Sequence, residues 1–243
     1  MAEVAARLAQ IRASTSGLLA GLDEERWSDA DVRAPSVLPG WTRGHVLTHL
    51  ARNADGITAT YAGALRDEIV PRYPKGPTGR AEDIEAGAER SAVELLADVR
   101  DSADRLDRLF GALTDAGAWE RPTDGERPAS AWLNTRWREV EIHRTDLGGR
   151  YGAADWPAAF VDYLLPRLAE EVGERATTPL RIEIDPNGST TTGLDGSVWT
   201  SGSDAADRIP VRGPDWAVLA WLIGRPALAG DHLSAQPELA AWS

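Results

Sequence analysis

At 243 residues, with 42% apolar and 26% charged residues, the chain is long enough for two modest packed cores and unlike the composition of a disordered polypeptide. Asp and Glu outnumber Lys and Arg by 38 to 26, and the formal charge of −12 repels polyanions, which argues against nucleic acid as a partner. Cysteine is absent, which excludes disulfides, thiolate metal ligands and a cysteine nucleophile, so any sulfur chemistry needs a thiol from outside.

Residues 3–21 carry Val4, Leu8, Ile11, Leu18 and Leu19 near helical spacing and are expected to form a first bundle helix. After the turn-rich stretch Ser36 to Trp41, Thr42 is placed to cap a second helix to about Leu65, with Val46, Leu50, Ala54 and Ile57 as its inward stripe and His49 beside it. Pro and Gly from Pro71 to Gly79 break the pattern. A long third helix is then expected from Ala81 to Leu113, carried by Val93, Leu96, Val99, Ala103, Leu106 and Phe110. A polar loop with Pro122, Gly125 and Pro128 follows, and Ser130 is placed to cap a fourth helix ending near Gly148 and Gly149.

From Trp156 the texture changes. A helix over about 157–173 is interrupted by Pro166, and the alternating Leu180-Arg181-Ile182-Glu183-Ile184 reads as a half-buried strand. Further short strands are expected around Ser197 to Thr200 and Ile209 to Val211. Gly213-Pro214-Asp215 opens a last helix with Trp216, Leu219, Leu222 and Ile223 on one face, stopped by Gly224 and Pro226. The expected class is α+β: a four-helix bundle over 1–153 followed by a small α+β domain over 154–243. With no apolar run of about 18 residues and no signal-peptide pattern, neither a membrane partner nor export is expected, and the expected location is the cytoplasm. The oligomeric state is not readable.

The chemistry concentrates in Arg138-Glu139-Val140-Glu141-Ile142-His143, where Glu139 and His143 stand one turn apart on one helical face. Both can reach one ion, and His49 on a facing helix is the natural third ligand, leaving a coordination position open. Other readings stay open at this point: Glu and His four apart also form surface pairs, and His45, four before His49, offers a second two-histidine set. His45 otherwise belongs to the surroundings of the site or to the surface. Glu141 faces the opposite way and is expected to be solvated, and His232 to be exposed in a terminal loop.

The run Pro39-Gly40-Trp41-Thr42-Arg43-Gly44-His45-Val46-Leu47-Thr48-His49-Leu50-Ala51-Arg52-Asn53-Ala54, with Arg136-Trp137-Arg138-Glu139-Val140-Glu141-Ile142-His143 and Asp146-Leu147-Gly148, resembles the mycothiol-dependent maleylpyruvate isomerase family among the DinB/YfiT-like metal-binding bundles of actinobacteria. The resemblance runs over the whole chain and is stronger in the N-terminal part. It implies His49, Glu139 and His143 as zinc ligands, Arg225 as an active-site arginine from the second domain, and Asn53, with Arg225, on the cofactor-binding side.

It also implies a cofactor, the small thiol mycothiol, and a small carboxylate substrate. The thiolate, stabilised by the metal, would add to the cis double bond of maleylpyruvate; rotation about the resulting single bond and expulsion of the thiol would give fumarylpyruvate. Arg225, and with it Arg43 or Arg138, would pair with substrate carboxylates or the enolate, although most helix-surface arginines such as Arg43 and Arg138 are solvated. The alternatives are a mycothiol S-transferase acting on another electrophile and a noncatalytic binding protein whose zinc only fastens the bundle.

Overall fold

The computed structural model describes residues 1–191, 193–202 and 207–242 and divides into two compact units, Met1–Tyr151 and Gly152–Ser243. In the first unit, four long helices carry the core: α1 (Ala2–Glu25), α3 (Arg43–Leu65), α5 (Ala92–Asp115) and α6 (Ala131–Asp146). Two short ones, α2 (Asp29–Arg33) and α4 (Gly76–Ala88), complete it. Central α3 packs mainly on α5 and α4, and α6 lies against α1 and α3. Leu18, Val46, Leu47, Leu50, Leu95, Val99 and Val140 from these helices meet in one cluster away from water, the main stabilising term of such a bundle.

Thr42 caps α3 as expected, and the cap is reciprocal: Thr42 Oγ1 accepts from His45 N–H, while His45 Nδ1 accepts from Thr42 N–H at 3.1 Å. Val46, Leu50, Ala54 and Ile57 are all fully buried. Three expectations in this unit are corrected. The long helix from Ala81 to Leu113 is two helices, because Ser91 and Glu94 form a capping box that starts α5 afresh. Val93 therefore falls outside the stripe and is 78% exposed, and Leu95 takes the inward position. Ser130 stands at the start of α6 but makes no side-chain cap; its hydroxyl turns to Glu120. Short α2, capped by Ser28 and Asp31, has no counterpart in the sequence-based expectation.

In the second unit, α7 (Ala158–Glu170) runs straight through Pro166, so the proline does not interrupt it, and the short α8 (Val172–Arg175) follows. Strands β1 (Leu180–Ile184), β2 (Val198–Thr200) and β3 (Ile209–Gly213) form a sheet of order β2-β1-β3, with β1 antiparallel to β2 and parallel to β3. Pro210 is tolerated in β3 because that strand is an edge. Helix α9 (Asp215–Leu222) packs on α7 and the sheet and, contrary to the one-faced stripe expected, is buried on every side. Buried Asp215 ties its start to the 190–191 backbone by accepting from Thr190 and Thr191 N–H at 2.8 and 2.9 Å. Gly224, at φ 77°, and then α10 (Pro226–Ala229) end it. No helix among the described residues is long and apolar enough to cross a membrane.

Candidate functional site

Helix periodicity puts Glu139 and His143 on the face of α6 that meets α3, and His49 answers them from α3. His49 Nε2 stands 2.7 Å from Glu139 Oε2 and 3.0 Å from His143 Nε2, and His143 Nε2 stands 3.4 Å from Glu139 Oε2. Among the described residues, these three side chains form a group of His and carboxylate donors close enough to share one ion. Trp41 walls the site, its ring 5.7 Å from that of His49.

The charges are tightly coupled. Burial, then the neighbouring His143, hold the His49 imidazolium down to about 4. Burial also opposes charge on His143, but hydrogen bonds to Asp146 and Glu139 outweigh it and raise that ring to about 9. For Glu139, burial is outweighed by the hydrogen bonds from both rings, and its carboxyl is held well below the usual range.

His143 Nδ1 donates to Asp146 Oδ2 at 2.8 Å, which fixes the ring and directs Nε2 toward the cluster, the outer-shell support typical of metal-ligating histidines. Tetrahedral zinc with ligand atoms about 2.0–2.1 Å away sets those atoms roughly 3.3–3.4 Å apart, so the three side chains need spread only slightly to fit it. One ring must change tautomer. Arg80 Nη2 lies 2.7 Å from His49 Nδ1; arginine only donates, so Nδ1 accepts and Nε2 carries the proton. A metal at Nε2 would require that proton on Nδ1, which is incompatible with the Arg80 contact, so Arg80 would have to leave His49 in a loaded site.

Other residues singled out in the sequence stand as follows. His45 is buried and engaged on both nitrogens, by Thr42 and by Glu85 at 3.2 Å, so it is a helix cap and not part of the donor group. Glu141 is not solvated: it is 1% exposed and accepts from the hydroxyls of Ser14 and Tyr151, because α1 covers the far face of α6. Asn53 is buried one turn beyond His49, its Oδ1 accepting from Arg136 Nη1 at 3.0 Å, and its Nδ2 has no partner among the described residues. Arg43 is spent on structure, donating to the carbonyls of Leu147 and Gly148 at the end of α6. Arg138 is half-buried. Arg225 belongs to the second unit, where Nη1 donates to the Ile223 carbonyl at 3.0 Å. His232 is exposed, with its ring 4.8 Å from that of Trp216.

The sequence alone singles out neither Arg72 nor Arg80, and it brings in Asp146 only as part of the family-like run, without a role. Asp146 follows His143 by one turn, so helical spacing was the available signal. The two arginines flank a Pro- and Gly-rich segment without periodicity, where only their placement between two helices that bear the chemistry pointed to them.

Over residues 8–148 the sequence matches the family described as mycothiol maleylpyruvate isomerase N-terminal domain. Two solved structures are similar along nearly the whole chain: the crystal structure of the mycothiol-dependent maleylpyruvate isomerase and that of a histidine-to-alanine mutant of it. Each is 25% identical, with a TM-score of 0.80 over 98% of this chain and 97% of that chain. No curated protein matches the chain in sequence.

Proposed function

The chain belongs to the mycothiol maleylpyruvate isomerase family, and from that premise we propose that it is a zinc- and mycothiol-dependent enzyme that converts maleylpyruvate to fumarylpyruvate. The observation that carries the reading is the donor group of His49, Glu139 and His143 in a chain with no cysteine. Zinc held there supplies a positive centre that keeps an external thiol as thiolate at neutral pH, the nucleophile for reversible addition to a cis double bond.

The chain's own residues do the rest. Two neutral rings and one carboxylate leave a divalent ion with net positive charge, and Asp146 keeps the proton of His143 on Nδ1 so that Nε2 is free to ligate. The second proton of His143, on Nε2 facing Glu139, is the one an ion there would displace, while the Nδ1 proton stays with Asp146. His49 is buried with the Trp41 ring beside it, which limits water at that one donor. A fourth protein ligand would favour a purely structural metal, and His45, the alternative the sequence offers, is engaged elsewhere. Asn53 is assigned to support of the thiol and Arg225 to a substrate carboxylate or the developing enolate, both on the strength of the family resemblance.

The deciding experiment is turnover of maleylpyruvate with and without mycothiol and with and without a chelator. Fumarylpyruvate formation that needs the thiol and is lost on chelation is expected. Isomerisation in thiol-free buffer would overturn the mechanism, and thiol conjugation without isomerisation would make the protein an S-transferase. Arg225→Ala is expected to lower turnover by about 2–4 kcal/mol in transition-state stabilisation while zinc content stays unchanged; near-normal kinetics would return Arg225 to its helix-terminal role.

A further inference from the structure

Beside the donor group, residues of α3, the 72–75 segment and α4 line an open cavity of about 260 Å³. Its cations are of two kinds. Arg52 is neutralised by Asp55 and Asp98 at 2.8 and 2.7 Å, and Lys75 by Asp83 at 2.9 Å. Arg72 and Arg80 are not: among the described residues Arg80 has no carboxylate in ion-pair range, and Arg72 has only Glu139 Oε1, at 3.9 Å. Both guanidinium groups lie against the ring of Tyr73, 4.9 and 5.3 Å from its centre. In a chain of net charge −12, two neighbouring cations short of counter-charge are a local reversal of sign.

The segment that presents them is held from two sides. Arg72 N–H donates to Asp124 at 3.1 Å, and Gly56 on α3 allows close approach, since a Cβ there would come within 2.8 Å of Arg72 Cγ and 3.0 Å of its carbonyl oxygen. Zinc held by the donor group would draw on the charge of Glu139 and, by the tautomer requirement, would release Arg80 from His49. Both forks are then available to an incoming anion, whose binding relieves their mutual repulsion.

We infer that this cavity is a carboxylate pocket, in which Arg72 and Arg80 bind a carboxylate of a small dicarboxylic electrophile beside the His49, Glu139 and His143 group. The identity of that electrophile rests on the isomerase reading; the anion site itself does not. The volume suits a small acid, being below that of clefts for drug-sized ligands.

The test is calorimetric titration of maleate, a cis dicarboxylate, into the zinc-loaded full chain without thiol, comparing wild type with R72Q, R80Q and R12Q. Arg12 lines a different cavity and is ion-paired with Asp107 at 2.6 Å, so R12Q controls for general loss of positive charge. Saturable binding in wild type and R12Q, at least about tenfold weaker in R72Q and R80Q with partial recovery in R80K, is expected. Zinc content and Tm of the same samples separate pocket loss from metal loss or unfolding, and the titrations are run at saturating zinc because Arg80 touches His49 and Arg72 lies 3.9 Å from Glu139. Absence of maleate binding in wild type, or equal affinity in R72Q and wild type, overturns the pocket. An unchanged KM for maleylpyruvate in R72Q and R80Q would overturn it while leaving the isomerase reading intact. Arginine-dependent maleate binding without thiol-dependent isomerisation would support the pocket and overturn that reading.

Discussion

Glu139 and Glu141 stand two residues apart on α6, the first half-buried and the second fully buried, and they face opposite neighbours. Glu139 turns to α3 and meets two imidazoles; Glu141 turns to α1 and meets the hydroxyls of Ser14 and Tyr151. Burial works against charge on both. On Glu139 the histidine contacts outweigh it, and the carboxyl is held well below its ordinary range; on Glu141 burial prevails over the Ser14 and Tyr151 hydroxyls and the charge of Arg144, and the carboxyl is pushed up. One helix thus carries a carboxylate whose partners can exchange a proton for a metal ion, and another whose partners can only hold it in place. Trp137 extends the second set, its Nε1 donating to Ser14 Oγ at 3.1 Å.

The comparison is broken most directly by matched substitutions. Glu139→Gln removes the anionic ligand, so zinc content measured by elemental analysis is expected to fall close to background, and thiol-dependent turnover with it. Glu141→Gln should keep both. Equal zinc loss in the two variants would mean that the faces of α6 are not functionally distinct.

A smaller effect sharpens the same division. Asp146 touches no proposed metal position but orients His143, so Asp146→Asn is expected to weaken zinc affinity about 10–100-fold, read by competition with a chelator. Unaltered affinity would make Asp146 a helix-terminal acceptor and nothing more. On the other face, Glu141→Ala strands the Ser14 and Tyr151 hydroxyls and opens a void between α1 and α6. A loss of about 2–3 kcal/mol in denaturant unfolding is expected, with zinc affinity unchanged.

The two faces were not equally legible in the sequence. Glu139 and His143 repeat at helical spacing and His49 stands on the facing helix, so local pattern offers these three as candidates, while the surface-pair and His45 readings stay open until the family resemblance implies the set. Glu141 was misread because periodicity gives a direction without saying what lies there: the side opposite α3 is covered by α1, a long-range fact. The same limit explains α9, whose one-faced stripe could not reveal that α7 and the sheet enclose it. The break between α4 and α5 was hidden differently, because apolar residues keep near-helical spacing across Arg90 and Ser91 while the Ser91 and Glu94 cap interrupts the backbone. Arg72 had no periodic signal, since its segment is set by tertiary packing on Gly56 and by Asp124, and Arg80 sits in α4 just after the Pro- and Gly-rich stretch.

The mildest test isolates one hydrogen bond on the structural face. Tyr151→Phe removes the hydroxyl that donates to Glu141 Oε2 at 2.6 Å but keeps the ring, over which Arg144 lies 3.7 Å from the centre. Packing and the cation–π contact therefore survive, and Ser14 still donates to the other carboxylate oxygen. The expected cost is about 1 kcal/mol, less than for Glu141→Ala, because one donor is lost and the carboxylate stays partly satisfied. If Glu141 is a strut, Tyr151→Phe and Asp146→Asn act independently, and the double variant should show their stability effects adding within about 0.5 kcal/mol, with zinc affinity equal to that of Asp146→Asn alone. A further drop in zinc affinity in the double variant would couple the two faces through α6 and would make Glu141 part of the metal site's support.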